Sequence, residues 1–261
     1  MTVPTNWEDF LSVSAALNNT NYPPIANGLN TTEDSEMFMS IAANYIGDSD
    51  GRATGSLCFN DPQVVEAFKA LESILPYLRS DAATLNSKSS KQLFRNQSAA
   101  MLFGGSWDVK EFENAEFEWS VFPVPAPMGR KTHVIFQPDI GIGINRDTPH
   151  QKEALAFINW LMDKRSAPTL ASNLPGFYPL GNVASGTSPN AHDLEFLRLA
   201  KDYPTDVRWV FDKISDQYPR ASDIVRQALN EMAARGLSAG NAANRLQNGL
   251  PEWYEPAQVC R

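Results

Sequence analysis

Three prolines at alternate positions, Pro123, Pro125 and Pro127, constrain the fold of this chain more than any other feature. Each fixes φ and removes a backbone donor, so neither a helix interior nor a central strand can run through 123–127. The run stops an apolar strand expected over 117–122, and it is stiff enough to carry the chain from one domain to another. A second crossing is expected at 173–182, which holds Pro175, Gly176, Pro179 and Gly181. Around these breaks helical periodicity alternates with short apolar runs, so the residues read as an α/β class.

The local signals place most elements. Thr5 and Glu8 form a capping box that opens a helix carrying Trp7, Phe10, Leu11 and Leu17 on one side. A short buried strand is expected over 23–26, and a second helix runs through Ile41 to Tyr45. Residues 48–51 read as a loop. Asp61-Pro62 starts a third helix, with Val65, Phe68, Leu71, Leu75 and Leu78 at three- and four-residue spacing and a kink at Pro76. Another helix ends near Asn96, an apolar strand follows over 99–103, and Gly104-Gly105-Ser106 breaks it before Trp107 opens a short helix. A strand is expected over 140–144, then a helix capped by Thr148-Pro149 that ends near Met162. From Pro189 onward the pattern is helical, with a stop at Gly236 and a restart at Ser238.

Charge excludes whole classes of partner. The 261 residues carry 22 Lys+Arg against 30 Asp+Glu, a formal charge of -8, so no basic stripe exists to neutralise nucleic acid or an anionic membrane. With 43% hydrophobic residues, including 14 Phe and 6 Trp, the chain can bury a substantial core. No apolar run approaches the roughly 18 residues that span a bilayer, so no direct membrane insertion is expected. The start Met-Thr-Val-Pro-Thr-Asn-Trp lacks the basic and apolar regions of a signal peptide, and none is expected in this chain. Cys58 and Cys260 are too few for a zinc cage, and the sequence leaves open whether they are separate thiols or one disulfide.

Little of the usual catalytic vocabulary is present. Gly141-Ile142-Gly143 lacks the third glycine and the following helix of a dinucleotide loop, so no cofactor is expected; two glycines in a strand instead mark a close packing partner. His133, His150 and His192 stand apart from one another, and no metal is expected. No nucleophile elbow and no P-loop occurs. Glu33, Asp34 and Glu36 allow the carboxylate pair of a glycoside hydrolase, or else a solvated helix start favoured by the dipole. Asn18, Asn30 and Asn96 sit in N-x-S/T triplets of the kind that arise by chance. Gly104-Gly105-Ser106-Trp107 is the more informative stretch. A strand ending in two glycines exposes backbone donors, and an aromatic at the next helix start can offer an apolar sugar face a ring to stack on, the alternative being a core tryptophan.

Several segments, in order, resemble one family. Val3 to Phe10 resembles the "P-x-T-W-x-E-F" helix of extracellular solute-binding proteins of ABC importers, of the maltose-binding (family 1 sugar-binding) type. Leu93 to Met101 followed by Gly104-Gly105-Ser106-Trp107 resembles their "F-x-x-G-x-A-A-M-x-x-x-G-x-W" segment, with Gln97 in place of the usual glycine. Phe122 to Gly129 is similar to their "P-x-P-x-G" crossing, Asp139 to Asn145 to the glycine-rich strand, and Glu153 to Leu161 to the "E-A-x-x-F-x-x-F-L" helix. Leu174 to Pro179 resembles the return crossing, and Leu237 to Leu246 the last helix.

The resemblance implies a type II periplasmic-binding-protein fold, two α/β lobes hinged around a solute cleft, present here mostly as the C-terminal lobe. Residues 1–125 and 178–261 would form that lobe and 126–177 a partial N-terminal lobe, the family's signal peptide and first strands being missing from this chain. It implies a non-catalytic protein that holds a sugar or oligosaccharide and delivers it to an ABC transporter permease at the periplasmic or extracellular face of a bacterial membrane. Carried over by position, Trp107 is the stacking platform and Gly105 allows close approach. Asn30, Thr31, Glu33, Asp34 and Glu36 supply hydroxyl-binding groups, with Asp139 and Gly141 facing them and Tyr178, Tyr218 and Arg220 contributing at the margins. The absence of Lys and Arg between Asn27 and Met39 favours a neutral polyol or a cation over an anionic solute. Two alternatives accompany this reading: a glycoside hydrolase using Glu33, Asp34 and Glu36, and a truncated lobe that binds no solute and exposes an apolar face.

Overall fold

The computed structural model of the chain describes residues 2–18, 22–47, 58–137, 141–163, 190–211, 213–250 and 252–260, with 165, 166, 169, 173, 176 and 178. In chain order the elements are α1 (Trp7–Leu17), α2 (Ser35–Ala42), α3 (Pro62–Ile74), α4 (Ser87–Arg95), α5 (Val109–Phe112), β1 (Val134–Ile135), α6 (Gln151–Leu161), α7 (Ala191–Asp202), β2 (Thr205–Asp206), α8 (Ala221–Arg235) and α9 (Ala239–Gly249). Single 3-10 turns occupy Thr32–Asp34, Leu75–Tyr77, Ser106–Asp108, Trp209–Phe211 and Lys213–Ser215, and a longer one covers Glu255–Cys260.

Side-chain chemistry sets the helix limits. α1 starts at Asn6, whose side chain accepts from the Asp9 N–H at 2.8 Å, one residue beyond the expected cap. Thr5 instead gives its hydroxyl to the Asp9 carboxylate at 3.0 Å, so the longer Asn side chain takes the backbone donor. α3 opens at Asp61-Pro62 as expected, and past its end Pro76 lies in the tighter turn Leu75–Tyr77. α8 stops at Gly236, and Ser238 caps α9 by accepting from the Asn241 N–H. The expected loop at 48–51 lies, for residues 48–50 and 51, outside the described residues.

Strands are scarcer than the apolar runs suggest. The segments 23–26 and 99–103 meet in a single parallel bridge, Ile25 with Met101, continued by the Asn27 side chain, which donates to the Phe103 carbonyl at 2.8 Å and accepts from its N–H at 2.7 Å. Residues 117–122 and 141–144 form no strand. Among the described residues the sheet is β1 beside β2, parallel, with Val134 opposite Thr205 and Ile135 opposite Asp206. The helix expected without interruption from Pro189 is likewise broken by β2 and two 3-10 turns. An apolar run becomes a strand only where another backbone edge is available to pair with it.

The chain divides into two compact units, 1–103 with 122–135 and 203–261, and 104–121 with 136–202. The first holds the main core. α2, α3, α8 and α9 pack on one another there, burying Phe38, Phe68, Leu71, Val225, Leu229 and Leu246 completely. Phe38 stacks on Phe68 with ring centroids 4.1 Å apart. The proline segment is fastened to this unit: Trp7 N–H donates to the Ala126 carbonyl at 2.8 Å, and the buried Asn44 donates to the Val124 carbonyl at 3.0 Å and accepts from the His133 N–H at 2.8 Å.

Cys58 and Cys260 are joined in a disulfide that spans 202 residues of sequence, so the reading of two separate thiols is set aside. Gln247 doubles the link. Its side chain accepts from the Phe59 N–H at 2.8 Å and donates to the Ala257 carbonyl at 2.7 Å, tying together the neighbourhoods of both cysteines.

Among the described residues the second unit holds α5, α6 and α7. Val109 and Phe112 are its buried apolar residues on α5, and Trp119 stacks on the His192 ring at 3.5 Å. α6 is unusual in this setting, because Leu155, Phe157 and Trp160 are all more than half exposed, at 53%, 55% and 52%.

Candidate functional site

The Gly104–Trp107 stretch forms a tight turn in the second unit. Gly105 precedes the 3-10 turn Ser106–Asp108, and its N–H donates to the Asp108 carboxylate at 3.1 Å. The Trp107 side chain folds back over Gly105. A methyl group on Gly105 would lie 2.4 Å from the indole, so glycine is needed there for the ring itself. Gly105 was expected to admit a solute, and the close approach it permits is to Trp107. The ring is half-buried, with part of its surface open.

Residues far along the chain hold this turn. Ser106 donates its hydroxyl to the Gly176 carbonyl at 2.5 Å. Gly176 has φ +82°, and a Cβ there would sit 1.8 Å from the Ser106 carbonyl oxygen, so both the backbone conformation and the space demand glycine. The Gly176 N–H donates to the buried Asp193 carboxylate at 3.1 Å, and the Tyr178 hydroxyl donates to the same oxygen at 3.0 Å. Burial first, then the Asp193 charge, pushes the Tyr178 phenol well above its usual range, so it stays a donor. Tyr178, expected at the margin of the site, is thus committed to Asp193.

Gly141 is exposed, and no described atom lies within 4 Å of where its Cβ would be, nor at Gly143. The close packing partner expected from two glycines is not there among the described residues. Asp139 lies outside the described residues.

The acidic segment belongs to the first unit, and its carboxylates have distinct employments. Asp34 is 3% exposed and accepts through one oxygen from the Asn30 N–H at 2.8 Å, the Thr31 N–H at 2.5 Å and the Thr31 hydroxyl at 2.9 Å. Burial outweighs these bonds and raises its pKa above the ordinary carboxylate value. Glu36 pairs with Arg208 at 2.7 Å, the arginine side chain being 9% exposed. Glu33 is exposed, and Asn30 donates weakly to the Thr84 carbonyl at 3.4 Å. Asp34 therefore folds the segment and Glu36 neutralises a cation. Neither stands as the open acid that glycoside hydrolysis asks for. The charge argument drawn from 27–39 alone is also corrected, since Arg208 arrives from 172 residues away.

Tyr218 and Arg220 do meet, with the guanidinium 4.5 Å from the ring centroid, and Tyr218 is 71% exposed. Trp253 braces this corner by donating its indole N–H to the Pro219 carbonyl at 2.8 Å. The structure thus gathers the sequence-derived residues into three local groups: Gly105 with Trp107, Asn30 with Thr31 and Asp34, and Tyr218 with Arg220. Sequence reasoning missed Arg208, Gly176 and Asp193. Gly176, within the crossing expected at 173–182, carried the sequence signal of a glycine; Arg208 and Asp193 carried none. Among the described residues no group of three or more His, Cys, Asp or Glu is arranged to hold a metal, and no helix is long and apolar enough to cross a membrane.

Solved structures share this fold at low sequence identity. A chitin oligosaccharide binding protein superposes with a TM-score of 0.81 at 18% identity, over 97% of this chain and 66% of that one. The sugar-binding protein MalE of Xanthomonas citri gives 0.72 at 17% identity over 99% and 66%, and a Bacillus licheniformis sugar transporter in complex with stachyose gives 0.71 at 14% over 98% and 67%. The chain therefore spans about two thirds of the length of these proteins. No curated protein matches it in sequence. The family described as "Bacterial extracellular solute-binding protein" matches residues 1–168. On that match, and with the periplasmic-binding-protein fold present in part, the chain belongs to the bacterial extracellular solute-binding proteins.

Proposed function

We propose that this chain captures a sugar or oligosaccharide without altering it, as the solute-binding component of an ABC importer. The observation that carries the reading is Trp107: an indole half-exposed on a turn held from several sides, offering an apolar face on which a pyranose ring stacks. Family membership and the sugar ligands named for the structural relatives support the solute class. Asn30, Thr31 and Glu33 are the polar groups assigned to solute hydroxyls, and Tyr218 with Arg220 a peripheral contact. In this reading residues 1–125 and 178–261 belong to the C-terminal lobe and 126–177 to a partial N-terminal lobe. Lobe closure on the solute is the shape that a permease would recognise. The Cys58–Cys260 disulfide supports a location outside the reducing cytoplasm, at the periplasmic or extracellular face of the membrane.

A second reading has its own observation. The exposed Leu155, Phe157 and Trp160 on α6 favour a lobe that presents an apolar face and binds no solute. Tryptophan fluorescence titration against mono- and oligosaccharides, with Trp107→Ala alongside, separates the two. A saturable change lost in the variant supports capture, and silence across the panel favours the lobe that binds no solute.

A further inference from the structure

The turn that carries Trp107 is fixed by a relay of contacts within one compact unit. Asp193, in the first turn of α7, is 2% exposed and receives the Gly176 N–H at 3.1 Å and the Tyr178 hydroxyl at 3.0 Å. Gly176 in turn receives the Ser106 hydroxyl on its carbonyl at 2.5 Å, and its α-carbon lies so close to the turn that a Cβ would be 2.7 Å from the Trp107 nitrogen. A buried carboxylate is retained only where donors satisfy it, and Gly176 and Tyr178 both donate from the segment that presses on the turn. A stacking ring is useful only when its plane is held within a fraction of an ångström. The relay from α7 through Gly176 to Ser106 supplies that restraint.

We propose that Asp193 and Gly176 are positioning residues for Trp107, setting the orientation of the stacking platform without touching solute, an inference that rests on the reading of Trp107 above. Tyr178 then serves the same relay and not the solute. The consequence is a specificity device. A change at Gly176 or Tyr178 is transmitted to the indole through the hydrogen bonds of the relay and the backbone contact at Gly176, without any solute-contacting residue being replaced.

The test uses the whole chain labelled with 5-fluorotryptophan, whose six resonances include one assigned to Trp107 by its loss in Trp107→Phe. Asp193→Ala and Gly176→Ala should move or broaden the Trp107 resonance while those of Trp209 and Trp253 stay in place. Asp193→Asn, which keeps an acceptor oxygen, should restore it, and Tyr178→Phe, which removes one donor only, should give a smaller displacement. In titration with malto- and chito-oligosaccharides, Asp193→Ala should weaken binding by about tenfold, and Asp193→Asn should restore it. A Trp107 resonance unmoved in Asp193→Ala and Gly176→Ala, or a full loss in Asp193→Asn, would overturn the proposal. Displacement of the resonance in a chain that binds no sugar would uphold the positioning and refute the sugar reading instead.

Discussion

Replacing Cys260 by serine opens a covalent loop of very long reach, and its cost can be worked from the chain itself. The bridge joins positions separated by 202 residues. Loop closure of that length restricts the denatured ensemble by about 18 cal/mol/K, or about 5 kcal/mol at 25 °C, an upper figure because native disulfides commonly contribute about 2–5 kcal/mol. Trp209 is a convenient reporter, being 1% exposed with its ring 5.7 Å from that of Phe59, the neighbour of Cys58. Urea unfolding followed by Trp209 fluorescence should show Cys260→Ser less stable by about 2–5 kcal/mol, with a steeper m-value because the uncrosslinked denatured chain exposes more surface. Cys58→Ser and reduction of the parent by dithiothreitol should give the same curve. A variant within about 0.5 kcal/mol of the parent would refute the reasoning. It would mean that the Gln247 hydrogen bonds to Phe59 and Ala257 already hold the tail, and that the denatured chain is equally compact without the bridge.

Four further expectations follow from individual side chains. Gln97 has φ +57°, a left-handed conformation that costs a side chain energy, so Gln97→Gly should stabilise by about 0.5–1 kcal/mol in thermal unfolding, and a loss of stability would refute the strain. Asp34→Ala should cost about 2 kcal/mol through three lost hydrogen bonds, whereas Asp34→Asn should cost less. Because the folded state raises the Asp34 pKa, its contribution to stability is largest below the ordinary carboxylate value and declines as pH rises through the folded value; the stability of Asp34→Asn relative to the parent should therefore grow across that window, and a flat difference would contradict it. Phe157→Ser with Trp160→Ser should lower the fluorescence of a bound apolar dye while leaving stability within about 0.5 kcal/mol of the parent, since both rings are more than half exposed.

What the sequence made legible was local chemistry. Asp61-Pro62, Gly236 and Ser238 mark helix limits because caps act over three or four residues, and the structure places them at those limits. The family was legible because its motifs recur in order along the chain, even where each is degenerate. What stayed hidden depends on distant partners. The Glu36–Arg208 pair spans 172 residues, and the Ser106–Gly176 contact spans 70. Apolar runs such as 99–103 read as strands, yet a strand needs a neighbouring edge, and that segment finds only the bridge at Ile25. Tyr178 was expected beside the solute by its position in the family pattern, which carries no information on where a hydroxyl points; only the fold shows it turned to Asp193.

Capture of a sugar on Trp107 is the claim on which the account stands, and calorimetric titration of the purified chain tests it most directly. Chito-, malto- and raffinose-type oligosaccharides should be titrated into the parent, into Trp107→Ala and into Trp7→Phe as a control in the core of the other unit. Saturable heat is expected for one of these classes, abolished in Trp107→Ala and retained in Trp7→Phe. Heat that survives in Trp107→Ala, or no heat from any class, would contradict it.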